Sequence, residues 1–142
     1  MEELLALRQA IEEQRYVDAL LLLEEMEEMS REDKINKMDS FAVILLLHLI
    51  KQQVEQRTTR SWDLSIHNAV RQIQRINKRR KSGGVYLQQT ELAELLAEAF
   101  PTALKMAAIE AFAGQLSEAQ LAKQVDRKVI EQQALGLIWV VE

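Results

Sequence analysis

The densest group of acids in the sequence is Glu24, Glu25, Glu27 and Glu28, four carboxylates within five residues. Paired carboxylates do general acid–base work when burial or like-charge crowding separates their pKa values. Here Leu22, Met26 and Met29 take the inner stripe of a helical pattern and the glutamates fall mostly on its other side, which reads as a solvated face. The two histidines are His48 and His67. His48 sits inside Phe41–Ile50, where nine residues in ten are apolar, and reads as a hydrogen-bonded histidine of the core or its boundary, not a general base. His67 follows Ile66, an inward position of its helix. There is no cysteine, no His-Glu-x-x-His and no Glu-x-x-His, so no metal site is expected. Gly83-Gly84 has no Gly-x-Gly-x-x-Gly or Walker-type company and reads as a loop, not a phosphate cradle. Met26, Met29, Met38 and Met106 read as core filler. The expectation is a chain with no catalytic residues and no cofactor, hence not an enzyme.

The elements that must position these residues are helices. A chain of 142 residues with four Gly and one Pro has too little turn punctuation for a barrel or sandwich. It reads as all-α, one domain over 1–142, a bundle of five to seven helices around a long central apolar helix. Leu4, Leu7 and Ile11 give one stripe to a helix from Glu2 to Gln14. Asp18 is placed to cap a second helix running to Met29. Ser30 and Asp33 make a weak capping box, predicting a helix start or sharp bend. Ile35, Met38, Ala42, Leu45 and Leu49 form the seam of the central helix, 31–56. Arg57-Thr58-Thr59-Arg60 interrupts it, and Ser61 caps a fourth helix from Trp62 to Lys81 with Trp62, Ile66, Ala69, Ile73 and Ile76 inward. Gly83 and Gly84 stop that helix. Thr90 opens the next, with Leu92, Leu95, Leu96 and Ala99 inward, kinked at Pro101 and continuing to Phe112. After Gly114, Ser117 and Gln120 form a better capping box for a last helix over 118–134, inward through Leu121, Val125 and Val129.

Charge is unevenly spread. Residues 1–33 carry eleven acidic and three basic side chains, net −8, whereas 57–81 carry eight basic residues against Asp63 alone, net +7. The two segments could exchange surface ion pairs, or Arg57, Arg60, Arg71, Arg75, Lys78, Arg79, Arg80 and Lys81 could meet phosphates or an acidic protein. The alternative function is a regulatory protein of the toxin–antitoxin or nucleic-acid-associated kind using the basic fourth helix. It is the weaker reading because no aromatic rings are interleaved with these cations after Trp62. Leu137-Ile138-Trp139-Val140-Val141 is an apolar run that should dock on the body or on a partner. Partner-binding candidates are therefore Leu137, Ile138, Trp139 and Val140, with Arg60, Trp62, Arg71 and Arg75. The expected partner is another protein or a second copy of the chain. The acidic start and the lack of a membrane-length apolar run predict a cytoplasmic protein with no membrane association.

Several motifs in order carry a resemblance: Leu23-Glu24-Glu25-Met26-Glu27-Glu28-Met29, Arg31 and Asp33-Lys34, Leu45-Leu46-Leu47-His48-Leu49-Ile50-Lys51, and Arg60-Ser61-Trp62 followed by Ile66. Leu96-Ala97-Glu98-Ala99-Phe100 through Ala111 adds a later helix. This order resembles the bacterial "domain of unknown function 29" family, abundant in cyanobacteria, over residues 15–112. The sequence departs from its pattern at Ser30, where Gly is usual, and at Asp63, where Arg or Lys often follows the Ser-Trp pair, and 113–142 adds a C-terminal helix and tail. The resemblance implies an all-helical cytoplasmic protein and brings no catalytic mechanism. An assembly factor or chaperone serving a multi-subunit complex fits it. Glu24, Glu28 and His48, with Arg60 and Trp62, are the expected polar cluster where the second, third and fourth helices meet.

Overall fold

The computed structural model describes residues 2–79 and 83–140. It is all-α: α1 (Glu2–Glu12), α2 (Tyr16–Glu55), α3 (Arg60–Asn77), α4 (Gln89–Glu110), a 3-10 turn (Ala111–Gly114), α5 (Glu118–Ala122) and α6 (Arg127–Ile138). The only β pairing among the described residues is an isolated bridge between Lys78 and Val85. The chain divides into two compact units, Met1–Asn36 and Lys37–Glu142, with the boundary inside α2.

In the first unit α1 ends on Gln14 in the left-handed region, φ 59°. This lets the Arg15 N–H reach the Ala10 carbonyl at 2.8 Å and satisfy an end of the helix. The Arg15 carbonyl then accepts from Ala19 N–H, so α2 begins at Tyr16 and Asp18 lies in its first turn. Among the described residues of this unit only Ala10 and Ala19 are buried. The stripe of Leu4, Leu7 and Ile11 is only half realised, since Leu4 and Ile11 are exposed, and Met29, expected inside, is 60% exposed. A helix pair this small buries little apolar surface for its length.

No break occurs at Ser30, which lies inside α2. Neither Gly nor Pro occurs between Tyr16 and Glu55. The backbone N–H groups that a Ser30 cap would have satisfied are instead taken up by the helix's own ladder, and the weak Ser-x-x-Asp signal loses to continued propagation.

In the second unit α2 contributes Met38, Ala42, Leu45, Leu46, Leu49 and Ile50 to the core, all essentially buried. Gln56, at φ 54°, turns the chain. Thr58 Oγ1 donates to Asp63 Oδ1 at 2.7 Å and accepts from Gln52 Nε2 at 2.7 Å, which holds the turn. The cap of α3 is Thr59, not Ser61: its Oγ1 accepts from Trp62 N–H at 3.1 Å, so α3 starts at Arg60. Ala69 and Ile73 face inward as read, with Trp62, Ile66 and Ile76 half-buried. The helix stops at Asn77, short of Lys81. Lys78 is extended and ends the helix before the glycine pair, so Gly83 and Gly84, at φ 71° and 75°, lie in the loop as read but are not what stops α3. Arg80 and Lys81 lie outside the described residues, as does Val141.

Glu91 Oε1 accepts from Gln88 N–H at 3.1 Å and opens α4, one residue before Thr90. The helix runs through Pro101 and ends at Glu110, not Phe112. Phe112 and Ala113 are left-handed, and Gly114 follows at φ 75°. A Cβ on Gly114 would sit 3.0 Å from the Ile109 carbonyl oxygen, so glycine answers both a dihedral and a steric demand there. The Ser117–Gln120 box forms as read, with reciprocal bonds of 3.1 and 2.8 Å.

The last helix is two. α5 ends at Ala122, and Asp126 caps α6 by accepting from Val129 N–H at 3.3 Å. Gln53 fixes this joint, accepting from Asp126 N–H at 2.8 Å and donating to its carbonyl at 3.4 Å. The break resets the helical phase. Ile130, Ala134 and Ile138 are buried, while Val129, predicted inward, is 50% exposed. α4 packs against α5, α6 and the 3-10 turn, and α6 also packs against α3.

Candidate functional site

Trp62 is half-buried and already occupied. Lys51 Nζ stands 4.5 Å from its ring centroid and the Arg57 guanidinium 4.7 Å, both cation–π distances. Lys51 is only 6% exposed and forms an ion pair with Glu110 Oε1 at 3.0 Å. A buried ammonium needs such a counter-ion to offset its lost hydration. The group therefore ties α2, α3 and the end of α4 together. His48 donates from Nδ1 to the Ile44 carbonyl at 2.8 Å, a bond within its own helix. Glu24 and Glu28 are exposed on the Met1–Asn36 unit. The cations gathered around Trp62 are thus Lys51 and Arg57, with Glu110 as counter-ion to Lys51.

Asp39 is the one carboxyl of the second unit held above its ordinary value among the described residues, first by burial and then by the neighbouring Glu98 carboxylate. The folded state therefore binds the Asp39 proton more tightly than the unfolded chain does. Ionised Asp39 weakens the fold at neutral pH, and the penalty is relieved as pH falls through its raised pKa. Asp39→Asn is expected to raise the melting temperature at pH 7, with the gain over the native chain shrinking in the acidic range. Melting curves across pH check this, and a constant gain would contradict it.

On α3, Arg60, Leu64, His67, Arg71, Arg75 and Lys78 are all exposed. Their spacing of four, three, four, four and three residues lines them on one face. None of these cations enters an ion pair among the described residues. The tail divides. Leu137 and Ile138 complete α6, with Ile138 buried against the body, where its carbonyl accepts from Gln74 Nε2 at 3.1 Å. Ile138 is therefore withdrawn from any partner. Trp139 is half-buried, Leu137 partly exposed and Val140 65% exposed.

Arg127 was not singled out by motif. Pro101 has no N–H, so the carbonyl four residues back, that of Ala97, loses its helical donor. Arg127 Nη2 donates to that oxygen at 2.7 Å. Its guanidinium also lies 4.6 Å from the Phe100 ring centroid and pairs with Glu131 at 3.0 Å. A proline within a helical pattern is itself the signal that a donor is wanted four residues earlier. Next to it, Phe100, Pro101, Leu104, Glu118, Ala122 and Val125 line a hollow of about 220 Å³.

A second hollow, of about 250 Å³, belongs to the first unit and is lined by Glu3, Leu4, Met26 and Met29. Elsewhere on this unit Leu5, Tyr16, Val17, Leu20 and Leu21 are exposed, Val17 to 72%. The methionines read as core filler thus separate: Met38 is buried, Met26 and Met29 line this hollow, and Met106 is at the surface. No described helix is long and apolar enough to cross a membrane.

The model of the family described as "Domain of unknown function DUF29" matches residues 2–133. The chain belongs to the DUF29 family. No curated protein and no solved structure matches it. The DUF29 match begins with α1 and reaches into α6, so it extends the resemblance read over 15–112 at both ends. Two of the DUF29-like signatures meet in space: Lys51 closes the Leu-Leu-Leu-His-Leu-Ile-Lys run, Trp62 closes Arg-Ser-Trp, and the ammonium of one lies over the ring of the other. A structural role for both motifs accounts for this contact.

Proposed function

We propose that this DUF29 chain is a non-enzymatic, protein-binding helical module, an adaptor or assembly factor that grips a segment of a partner. The observation that carries the reading is the apolar surface of the Met1–Asn36 unit. Leu5, Val17 and Leu20 are 66%, 72% and 60% exposed, while among the described residues of the unit two alanines alone are buried. So many large apolar side chains left exposed in one small unit support an interaction role for it. A cysteine-free sequence suits a reducing compartment, and we place the protein in the cytoplasm.

The test is affinity capture with the full chain and with a Leu5→Glu/Leu20→Glu variant of matching helicity and melting temperature. The expected result is a protein retained by the native chain and lost from the variant. Identical recovery from both would overturn the reading. The basic face of α3 favours a second reading, binding to nucleic acid. That reading requires measurable affinity for DNA or RNA at low salt, falling steeply as salt rises, and fails if none is found.

A further inference from the structure

We infer that the chain associates head to tail, the basic face of α3 in one copy receiving an acidic face of α2 from a second copy. The contact joins charged faces, so it stands apart from the partner-binding reading above, which rests on exposed apolar side chains. The acidic face comes from one run of helical spacing. Asp18, Leu21, Glu25, Glu28 and Glu32 follow at intervals of three, four, three and four residues within α2 and are all exposed. At about 3.6 residues per turn they fit within roughly a quarter of the helix circumference, and Arg60, Leu64, His67, Arg71 and Arg75 on α3 fit within a similar arc.

The two faces agree in register as well as in charge. With the helices parallel and Leu21 beside Leu64, Asp18 comes level with Arg60 and Glu25 with His67, each to within one residue. Glu28 then meets Arg71 and Glu32 meets Arg75, seven and eleven residues past the leucine in both helices. The match runs over about 20 Å of helix. Leu21 and Leu64 are 54% and 67% exposed, so each face offers its one apolar residue at the same height. Among the described residues Glu25, Glu28 and Glu32 enter no ion pair, and neither do Arg60, Arg71 and Arg75. Asp18 pairs with Arg15 at 3.4 Å, an exposed contact open to exchange.

Other occupants of the α3 face fit less well. The face carries no ring on which a single-stranded base could stack, and the net −8 of residues 1–33 in the same chain repels a polyanion. A membrane-surface helix inserts an apolar face, whereas here Leu64 stands alone. A second copy turns that net −8 into attraction. Each copy carries one face of each kind, so the contact is heterologous and either closes into a ring or runs on as a chain. Surface ion pairs contribute little singly, which makes the association weak and strongest at low salt.

Sedimentation equilibrium of the full chain reads this contact. At about 10 mM ionic strength the average mass is expected to rise with protein concentration, and at about 1 M, where the screening length is about 3 Å, to return to that of the monomer. Glu28→Arg/Glu32→Arg and Arg71→Glu/Arg75→Glu, all at exposed positions, should each weaken self-association at least about tenfold with helicity unchanged. An equimolar mixture of the two variants should recover it, because the reversed acids of one meet the reversed cations of the other. A mixture that stays monomeric would overturn the proposal. Association that survives both charge reversals but is lost in Leu5→Glu/Leu20→Glu would assign it to the apolar surface and overturn the proposal too. A chain monomeric at every concentration also overturns it. In that case, melting temperatures lowered in each variant and restored when all four substitutions share one chain would place the pairing within a single molecule. Duplex DNA bound at low salt and released by Arg71→Glu/Arg75→Glu, with no self-association, would give the face to nucleic acid instead. Partner capture through Leu5 and Leu20 is untouched by any of these failures.

Discussion

Asn77→Ala is expected to destabilise the Lys37–Glu142 unit by about 3 kcal/mol. Asn77 is 5% exposed, and its amide makes both bonds of a backbone-like pair with Leu87: Nδ2 donates to the Leu87 carbonyl at 3.0 Å and Oδ1 accepts from the Leu87 N–H at 2.8 Å. Leu87 is itself buried. Each hydrogen bond contributes about 1 kcal/mol net, but stranding a buried donor or acceptor costs about 1–3 kcal/mol, and alanine strands one of each. Asn77→Asp tests the direction of the pair. It keeps an acceptor for the Leu87 N–H and replaces the donor with a carboxylate oxygen facing the Leu87 carbonyl, so it should rescue little. Urea unfolding followed by circular dichroism reads both variants. A loss below about 1 kcal/mol for alanine would mean that the α3–α4 connection relaxes to find other partners.

Arg127→Ala is expected to cost about 2 kcal/mol, and most of that should vanish in a Pro101→Ala background. The bond from Arg127 to the Ala97 carbonyl exists because Pro101 cannot supply the helical donor. Alanine at 101 restores that N–H, so the oxygen is satisfied whether or not the guanidinium is present. Charged donors contribute about 1.5–3 kcal/mol. The Arg127 side chain is half exposed, so its pair with Glu131 adds little. A double-mutant cycle should give a coupling of about 1 kcal/mol or more, whereas independent sites add to within about 0.5 kcal/mol. Additive losses would show that Arg127 acts through its packing on Phe100 alone. Arg127→Lys should recover only part of the stability, because an ammonium cannot stack on the ring and reach the carbonyl in one geometry.

These two residues also mark where the sequence stops being legible. The helical class, the Gly83-Gly84 loop, the Gly114 stop and the Ser117–Gln120 box were all readable, because each depends on neighbours within a few residues. What was not readable depended on distant groups. The α5–α6 joint is set by Gln53, some seventy residues from Asp126. The end of α3 is set by an amide reaching across to Leu87. Ser30 misled for the opposite reason: a weak local signal was overridden by an uninterrupted helix. In the candidate site, the exposure of Arg60, Arg71 and Arg75 followed from helical spacing. The occupation of Trp62 by Lys51 and Arg57 did not, since an aromatic residue at helix spacing says nothing of which cation will cover it. The surface on Met1–Asn36 was hidden by the same rule that placed Leu4, Ile11 and Met29 inside: a stripe predicts a face without saying what covers it.

Both tryptophans, Trp62 and Trp139, lie in the Lys37–Glu142 unit, and the Met1–Asn36 unit has Tyr16 as its lone aromatic ring. Indole fluorescence is accordingly a private signal of the larger unit. An emission-monitored melt will trace the loosening of the Lys51–Trp62 contact and the α6 terminus, and it will stay silent if the amino-terminal helices fray first.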